Sequence, residues 1–188
     1  MFRVFGCLTE EHDWQLLVLA GAICFLASLV AISLFHRAAA TTAHARAAWI
    51  AMAGAATGCG IWATHFVAML AYQPGFMVRY DLGLTALSLL AAAAITGLGL
   101  GLAAHKRAWW TAPLGGAILG GGVAVMHYTG MWALQLPGQM TWSGDLVVAS
   151  VLLGMLFGTA ALTLAQGRDG MQATCAAAAL LTQTQTAL

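Results

Sequence analysis

The stretch GCGIWATHFVAMLA at residues 58–71 returns in altered form as GGGVAVMHYTGMWAL at residues 120–134. When the first glycines of the two stretches are aligned, His65 meets His127, and the offset is 62 residues for both pairs of positions (120 − 58 and 127 − 65). Each histidine is followed four residues later by a methionine. Repetition at a fixed spacing predicts that the chain is built from equivalent structural units.

The two matched pairs are His65 with Met69 and His127 with Met131. Four residues correspond to about one helical turn, so both side chains of a pair lie on one face of their helix. Imidazole nitrogen and thioether sulfur together suit a soft or borderline metal such as copper. The pattern therefore predicts that the four side chains hold one ion between two helices, or form two separate sites.

The composition indicates an integral membrane protein. Hydrophobic residues make up 61% of the chain, charged residues only 7%, and the mean hydropathy is +0.85, whereas soluble domains are about 25% charged. Five apolar stretches reach the length of about 20 residues that a transmembrane helix needs, and a sixth, shorter one begins near residue 171. The five stretches are residues 14–35, 48–72, 82–104, 112–135 and 145–166.

We therefore expect an all-α fold, a polytopic transmembrane bundle of about six helices built from repeated two-helix units. The runs rich in glycine and alanine lack the alternation of barrel strands. An aspartate precedes each odd-numbered span, at Asp13, Asp81 and Asp145. A single domain over residues 1–188 then has units at about 13–72, 81–135 and 145–188, the last incomplete.

The same spacing predicts a third motif beyond the last residue of the chain. Adding 62 to 127 gives 189, one position past Leu188. We therefore expect a third copy of the motif to begin where this sequence stops, and the sequence to be a truncated one.

Basic residues predict the orientation in the lipid bilayer. The connections after the first, third and fifth spans hold five lysines and arginines, and the other side holds two. The five are Arg37, Arg46, Lys106, Arg107 and Arg168, and the two are Arg3 and Arg79. Because basic residues favour the cytoplasmic side, we expect the N-terminus outside and both motifs near the outer face. The net charge of +1 and the absence of a basic run argue against nucleic acid as a partner.

Two further residues are candidates for the site. Met126 precedes His127 but is turned by about 100° around the helix, which makes it a weaker metal ligand. Tyr128 stands where the first copy has Phe66, and its hydroxyl is able to hydrogen-bond a histidine nitrogen or a bound cofactor. Small residues for close helix approach are expected at Gly58, Gly60, Gly120, Gly121, Gly122 and Gly130.

Two other functions fit the same residues. His65 and His127 are a possible axial pair for a b-type haem in an oxidoreductase subunit, although the methionines then have no necessary role. A small metal transporter is the other alternative, since internal repeats are common in transporters. The sequence contains no nucleophile with a neighbouring base, so we expect no catalysis in this chain.

Residues 126–129, Met-His-Tyr-Thr, with the following Gly-Met-Trp, closely resemble the MHYT domain, a bacterial integral-membrane sensor module. GIWATHFVAMLA at 60–71 resembles the first motif of that domain, with Thr64 where the family usually has methionine. The resemblance covers essentially the whole chain. It implies a seven-helix domain with three motifs in the bacterial inner (plasma) membrane, a copper centre, and sensing of O₂, CO or NO.

The resemblance also implies output through a cytoplasmic signalling domain or protein, such as one that makes or hydrolyses cyclic di-GMP. Any such enzymatic activity would lie in a domain absent from these 188 residues. Assembly into an oligomer is compatible with the pattern.

Overall fold

The structure is a computed structural model that describes residues 13–71, 78–105, 108–135, 142–167 and 170–187. These residues form six helices, so the predicted all-α class and the number of helices are confirmed. The helices are α1 (Trp14–Ala40), α2 (Ala43–Ala71), α3 (Leu82–Ala104), α4 (Thr111–Trp132), α5 (Gly144–Gly167) and α6 (Met171–Thr186). Two short strands accompany them, β1 (Arg79–Tyr80) and β2 (Leu134–Gln135).

Four of the helices described, α1, α2, α3 and α5, are long and apolar enough to cross a membrane. The other two differ from them in composition or length. Six of the 22 residues of α4 are glycine, which lowers its hydropathy, and α6 has only 16 residues. Four of the basic residues on which the predicted orientation rests lie outside the described residues, and the orientation stays a prediction. They are Arg3, Lys106, Arg107 and Arg168.

Aspartates begin two of the odd-numbered helices, as their positions predict. The Asp13 carboxylate accepts hydrogen bonds from the backbone N–H groups of Gln15 and Leu16, at 2.9 and 3.4 Å. Asp81 accepts one from Leu84 at 2.8 Å. These bonds satisfy N–H groups that have no partner within the helix. Asp145 differs, because α5 already begins at Gly144 and this carboxylate lies in its first turn.

The six helices form a closed ring. Each helix packs against its neighbours in the chain, and α6 packs against α1, which closes the ring. The interior is apolar, and its largest fully buried side chains come from all six helices. Among them are Ile32, Phe35, Ile61, Leu100, Leu119, Leu162 and Leu181.

Backbone hydrogen bonds join the connections at the end of the ring where the motifs lie. β1 pairs with β2 in an antiparallel ladder, with Tyr80 opposite Leu134. The N–H of Asp13 donates to the carbonyl of Ala71 at 2.9 Å, and the N–H of Asp81 donates to Ala133 at 2.8 Å. These bonds join the end of α2 to the start of α1 and the end of α4 to the start of α3, so the C-terminal ends of α2 and α4 lie at the same end of the ring. Both histidines are consequently held at one depth, as predicted.

The helix interfaces repeat with the 62-residue offset of the sequence. A Cβ on Gly54 would lie 2.8 Å from the Cα of Gly97, and a Cβ on Gly116 would lie 2.5 Å from the Cα of Thr159. Thr159 is 62 positions after Gly97, just as Gly116 is after Gly54. The contact between α2 and α3 thus returns as the contact between α4 and α5.

Of the glycines predicted to allow close approach, Gly121 is the exception. A Cβ there would have no atom within 4 Å, so the prediction for Gly121 is wrong. Gly58, Gly60, Gly120 and Gly122 do face a neighbouring helix closely enough that a Cβ would clash. The reason is that Gly120 faces α5 and Gly122 faces α3, whereas Gly121 faces neither helix.

Two grooves between the helices repeat in the same way. One, of about 860 Å³, lies between α2 and α3, and the other, of about 670 Å³, lies between α4 and α5. Every residue that lines the second groove is 62 positions after a residue that lines the first. The second groove is lined by Pro113, Leu156, Thr159, Ala160, Thr163, Leu164 and Gly167. Their counterparts in the first groove are Ala51, Ala94, Gly97, Leu98, Gly101, Leu102 and His105.

Candidate metal centre

The two motif histidines meet inside the ring. The ring centroids of His65 and His127 are 5.0 Å apart and their planes are inclined by 79°. His65 is only 9% exposed, and His127 is half-buried. His65 lies six residues before the end of α2, and His127 lies five residues before the end of α4. Since both helices end at the same end of the ring, the two imidazoles meet there.

The histidines line a cavity of about 780 Å³ that is enclosed by α1, α2, α4 and α6. All five candidate metal ligands line it: His65, Met69, Met126, His127 and Met131. The two His–Met pairs therefore line one shared space. Met126, the weaker candidate, is 2% exposed and lines the cavity with the others.

Two polar atoms of the cavity have no hydrogen-bond partner. Among the described residues, the buried side-chain nitrogen and oxygen atoms that lack one are His65 Nε2 and Gln185 Oε1. Both residues line the same cavity. Buried polar groups in proteins are nearly always paired, and an exception points to a ligand, an ion or an ordered water. The cavity thus contains two polar residues whose buried side-chain atoms have no hydrogen-bond partner, and a bound group there would account for both.

Gly130 provides the space for the His65 ring. A Cβ at position 130 would lie 2.7 Å from His65 Nε2 and 3.0 Å from its Cδ2. Those distances are too short for a real contact, so a side chain at this position would displace the imidazole. Close helix approach beside the site was the role predicted for Gly130, and it is confirmed.

The residue after each histidine packs against an aromatic residue at the equivalent position in both copies. Phe66 packs edge-on against Tyr80 and Tyr128 against Trp142, each with centroids 5.3 Å apart. Trp142 is again 62 positions after Tyr80. The Tyr128 hydroxyl is hydrogen-bonded to Ser150 Oγ at 2.7 Å, and Tyr128 is not among the residues lining the cavity. Its suggested role in binding a cofactor stays a prediction.

Most of the side chains with donor atoms that line the cavity carry sulfur or imidazole nitrogen: Cys24, Met69, Met126, Met131, His65 and His127. In the ranges that the structure describes, no three His, Cys, Asp or Glu side chains lie close enough to one another to hold a metal ion. A metal in this cavity would thus depend on the thioethers in addition to the two imidazoles. Cys24 lines the cavity but its thiol points to the carbonyl of Thr182 at 4.0 Å, and Cys59 is exposed. This donor set fits copper and does not fit Mg²⁺ or Ca²⁺, which require oxygen ligands.

Reasoning from the sequence missed Gln185. The repeat indicates only its position, because Ile61, Val123 and Gln185 follow one another at intervals of 62 residues and all three line the cavity. The first two copies have an aliphatic residue at this place. Only the third copy, on α6, has a polar residue there, so the repeat does not predict a ligand at this position.

Comparisons with known proteins agree with the repeat. The family described as "Bacterial signalling protein N terminal repeat", MHYT, matches residues 58–116 and 120–178. The two matches begin at the glycines of the two motifs and have the same 62-residue offset (120 − 58). No solved structure matches the chain.

Three curated relatives are bacterial signalling proteins. An uncharacterized signaling protein of Caulobacter vibrioides is 38% identical over 88% of this chain. In Pseudomonas aeruginosa, the bifunctional diguanylate cyclase/cyclic di-GMP phosphodiesterase MucR is 33% identical over 84% of the chain, and the cyclic di-GMP phosphodiesterase NbdA is 37% identical over 75%.

The chain spans about a fifth of the length of these relatives, with 20%, 23% and 18% of them covered. The relatives named as enzymes are therefore much longer than the region they share with this chain. The family match covers both copies of the motif, and four of the described helices are long and apolar enough to cross a membrane, which makes this a multi-pass membrane protein. The family match covers more than half of the residues of this chain, and the chain therefore belongs to the MHYT family of bacterial signalling proteins.

Proposed function

We propose that this chain is a membrane sensory domain that binds copper between α2 and α4. His65 and His127 would supply imidazole nitrogens, and Met69 and Met131 would supply thioether sulfurs, with Met126 as a further sulfur within the cavity. The observation that carries the proposal is the unpartnered His65 Nε2 beside a second imidazole, in a cavity lined by three methionines.

The distance between the two imidazoles favours one shared ion. Metal–nitrogen bonds of about 2 Å at a tetrahedral angle put two imidazole centroids about 5 Å apart, and the centroids are 5.0 Å apart here. Two axial histidines on opposite faces of a haem would have centroids roughly 6 Å apart with the macrocycle between them. Copper is therefore the better candidate than haem.

Copper bound in this cavity would supply a redox-active centre able to take up a diatomic gas, O₂, CO or NO. We propose that gas binding is the sensed event and that it changes the packing of the ring. The output would be a cytoplasmic signalling domain, and the names of MucR and NbdA make cyclic di-GMP turnover the class of output to test first. The N-terminus would lie outside the cell and the cavity near the outer face.

Copper content tests the proposal. The protein is purified in detergent, loaded with Cu(I), dialysed and measured by elemental analysis. Wild type is expected to retain about one copper per chain, and the His65→Ala/His127→Ala double variant is expected to lose it. The matched control is His44→Ala/His105→Ala, which removes two exposed histidines. Equal copper in wild type and in the His65/His127 double variant would refute the metal site.

Gas binding needs a separate measurement. Infrared spectra of the Cu(I)-loaded protein under CO are expected to show a C–O stretching band that shifts with ¹³CO and is missing in the double variant. If copper is retained but neither CO, NO nor O₂ changes any spectrum, the gas proposal is wrong while the metal site stands.

A further inference from the structure

We propose that Gln185 is a further ligand of the ion, through its side-chain oxygen Oε1. This inference rests on the proposed copper site and adds a donor from a third helix, α6. Its basis is that Gln185 Oε1 and His65 Nε2 are the two buried side-chain nitrogen or oxygen atoms without a hydrogen-bond partner among the described residues, and that both residues line one cavity.

The other polar side chains near the end of α6 are already satisfied within their own helix. The hydroxyls of Thr182 and Thr184 donate to carbonyls one turn earlier, Ala178 at 2.9 Å and Leu180 at 3.3 Å. Thr186 donates to the carbonyl of Gln183 at 3.2 Å. Gln185 is thus exceptional on its own helix, because its amide oxygen is buried and accepts no hydrogen bond.

The position of Gln185 is a consequence of the ring. Because α6 closes the ring against α1, its last turn reaches the cavity between the ends of α2 and α4. Ile61 and Val123 occupy the equivalent places on those two helices. The aliphatic side chains of the first two copies show that packing at this position does not require a polar group. The amide of Gln185 is therefore not explained by packing.

The chemistry of an amide oxygen predicts what this ligand does. Thioether sulfur favours Cu(I), whereas a carbonyl-type oxygen is a harder donor and favours the oxidised ion. A glutamine oxygen also occurs as the weak axial ligand of copper in electron-transfer sites. Gln185 would accordingly stabilise Cu(II) relative to Cu(I) and lower the reduction potential of the centre.

The test compares Cu(I) and Cu(II) affinities, measured with competing chelators, in full-length wild type and three variants at position 185. Gln185→Leu is expected to weaken Cu(II) binding about tenfold with Cu(I) binding unchanged, which equals a rise of about 59 mV for a one-electron couple. Gln185→Met is expected to raise the potential as well, because it supplies a softer donor, and Gln185→Glu is expected to lower it. Electron paramagnetic resonance of the Cu(II) form is expected to change in all three.

Gln183→Leu is the matched control, since Gln183 is exposed on the same helix, and it is expected to behave as wild type. The three variants at 185 differ in charge and softness, so if one does not fold, the order of potentials among the others still decides. Equal potentials and unchanged resonance spectra in the folded variants would overturn the role of Gln185 while leaving the copper site intact. A wild-type protein that retains no copper would overturn both proposals.

Discussion

Gly130 decides whether the His65 imidazole fits in the cavity. A Cβ at this position would lie 2.7 Å from His65 Nε2, so Gly130→Ala must push the ring away from His127. We expect copper affinity to fall by about tenfold, or ~1.4 kcal/mol, in a competition titration with a chelator. The helix itself has no reason to change, because alanine is a good helix former.

Gly121→Ala is the control for this substitution. Gly121 lies on the same helix, and a Cβ there would have no atom within 4 Å. We expect this variant to bind copper as wild type does. If Gly130→Ala also binds copper with unchanged affinity, the position of the His65 ring is not important for the ion.

The hydroxyl of Tyr128 has a structural partner in Ser150, 2.7 Å away on α5. We expect Tyr128→Phe to lower the free energy of unfolding by ~1 kcal/mol, the usual value of one such bond, without changing the copper content. The ring keeps its edge-on contacts with His127 and Trp142. Thermal unfolding in detergent and elemental analysis measure the two effects.

Ser150→Ala is the partner variant for a double-mutant cycle. If the bond accounts for the loss, the double variant is no less stable than the more affected single variant. Loss of copper in Tyr128→Phe would instead show that the hydroxyl serves a bound cofactor, as the sequence suggested.

The histidines and methionines of the site could be predicted from the sequence because the motif occurs twice at a fixed spacing. A histidine in an apolar helix is chemically conspicuous, and a second one in register makes an accidental origin improbable. Gln185 and the bond between Tyr128 and Ser150 could not be predicted in this way. Both depend on which side of a helix faces a helix distant in sequence, and neither has a counterpart with the same chemistry in the other copy.

The interface between α2 and α3 is built on the same contacts as the interface between α4 and α5. Gly54 and Gly116 are equivalent positions in the two interfaces, and each faces backbone atoms of the next helix. We expect Gly54→Ala and Gly116→Ala to lower the free energy of unfolding by similar amounts, ~1–3 kcal/mol each. The reason is that the added Cβ would meet backbone atoms, which cannot move aside by changing rotamer as a side chain can.

Thermal or denaturant unfolding of the detergent-solubilised variants measures this prediction, with Gly121→Ala as the control expected to be neutral. A large loss in one variant and none in the other would contradict the equivalence of the two interfaces. Equal but negligible losses would show that the helices separate slightly at little cost.

The helices could be predicted closely, and the strands could not. The apolar stretches give the spans to within a few residues at most ends, because a bilayer imposes a length on them. β1 and β2 have two residues each, too few for a periodic pattern. They pair because β1 precedes α3, β2 follows α4, and α3 packs against α4 in the ring. The sequence of these four residues does not predict the pairing.

The orientation of the whole molecule is predicted from its basic residues and is measurable by labelling from one side. Thr42 and Ser143 are exposed and lie at opposite ends of the ring, Thr42 between α1 and α2 and Ser143 before α5. In a background without the native cysteines, we expect a membrane-impermeant maleimide to label Ser143→Cys in intact cells. Thr42→Cys is expected to react only after the cells are opened.

The parent chain without cysteines is the control for background labelling. Reaction of Thr42→Cys in intact cells, with Ser143→Cys protected, would mean that the N-terminus and the cavity face the cytoplasm. The distribution of lysines and arginines would then have predicted the wrong orientation in the membrane, although the fold would be unaffected.

The two matching grooves have an implication for how such a chain came to exist. Every residue that lines the second groove has a counterpart in the first at a constant offset, which is the trace expected of tandem duplication of an ancestral gene segment. When one face of a unit binds a different face of the next unit, further units can be added until the rotation between them closes a ring. In this chain the ring closes after three helix pairs. A freed pair such as α3 with α4 would carry both complementary faces, and would assemble with two further copies of itself into a trimeric ring.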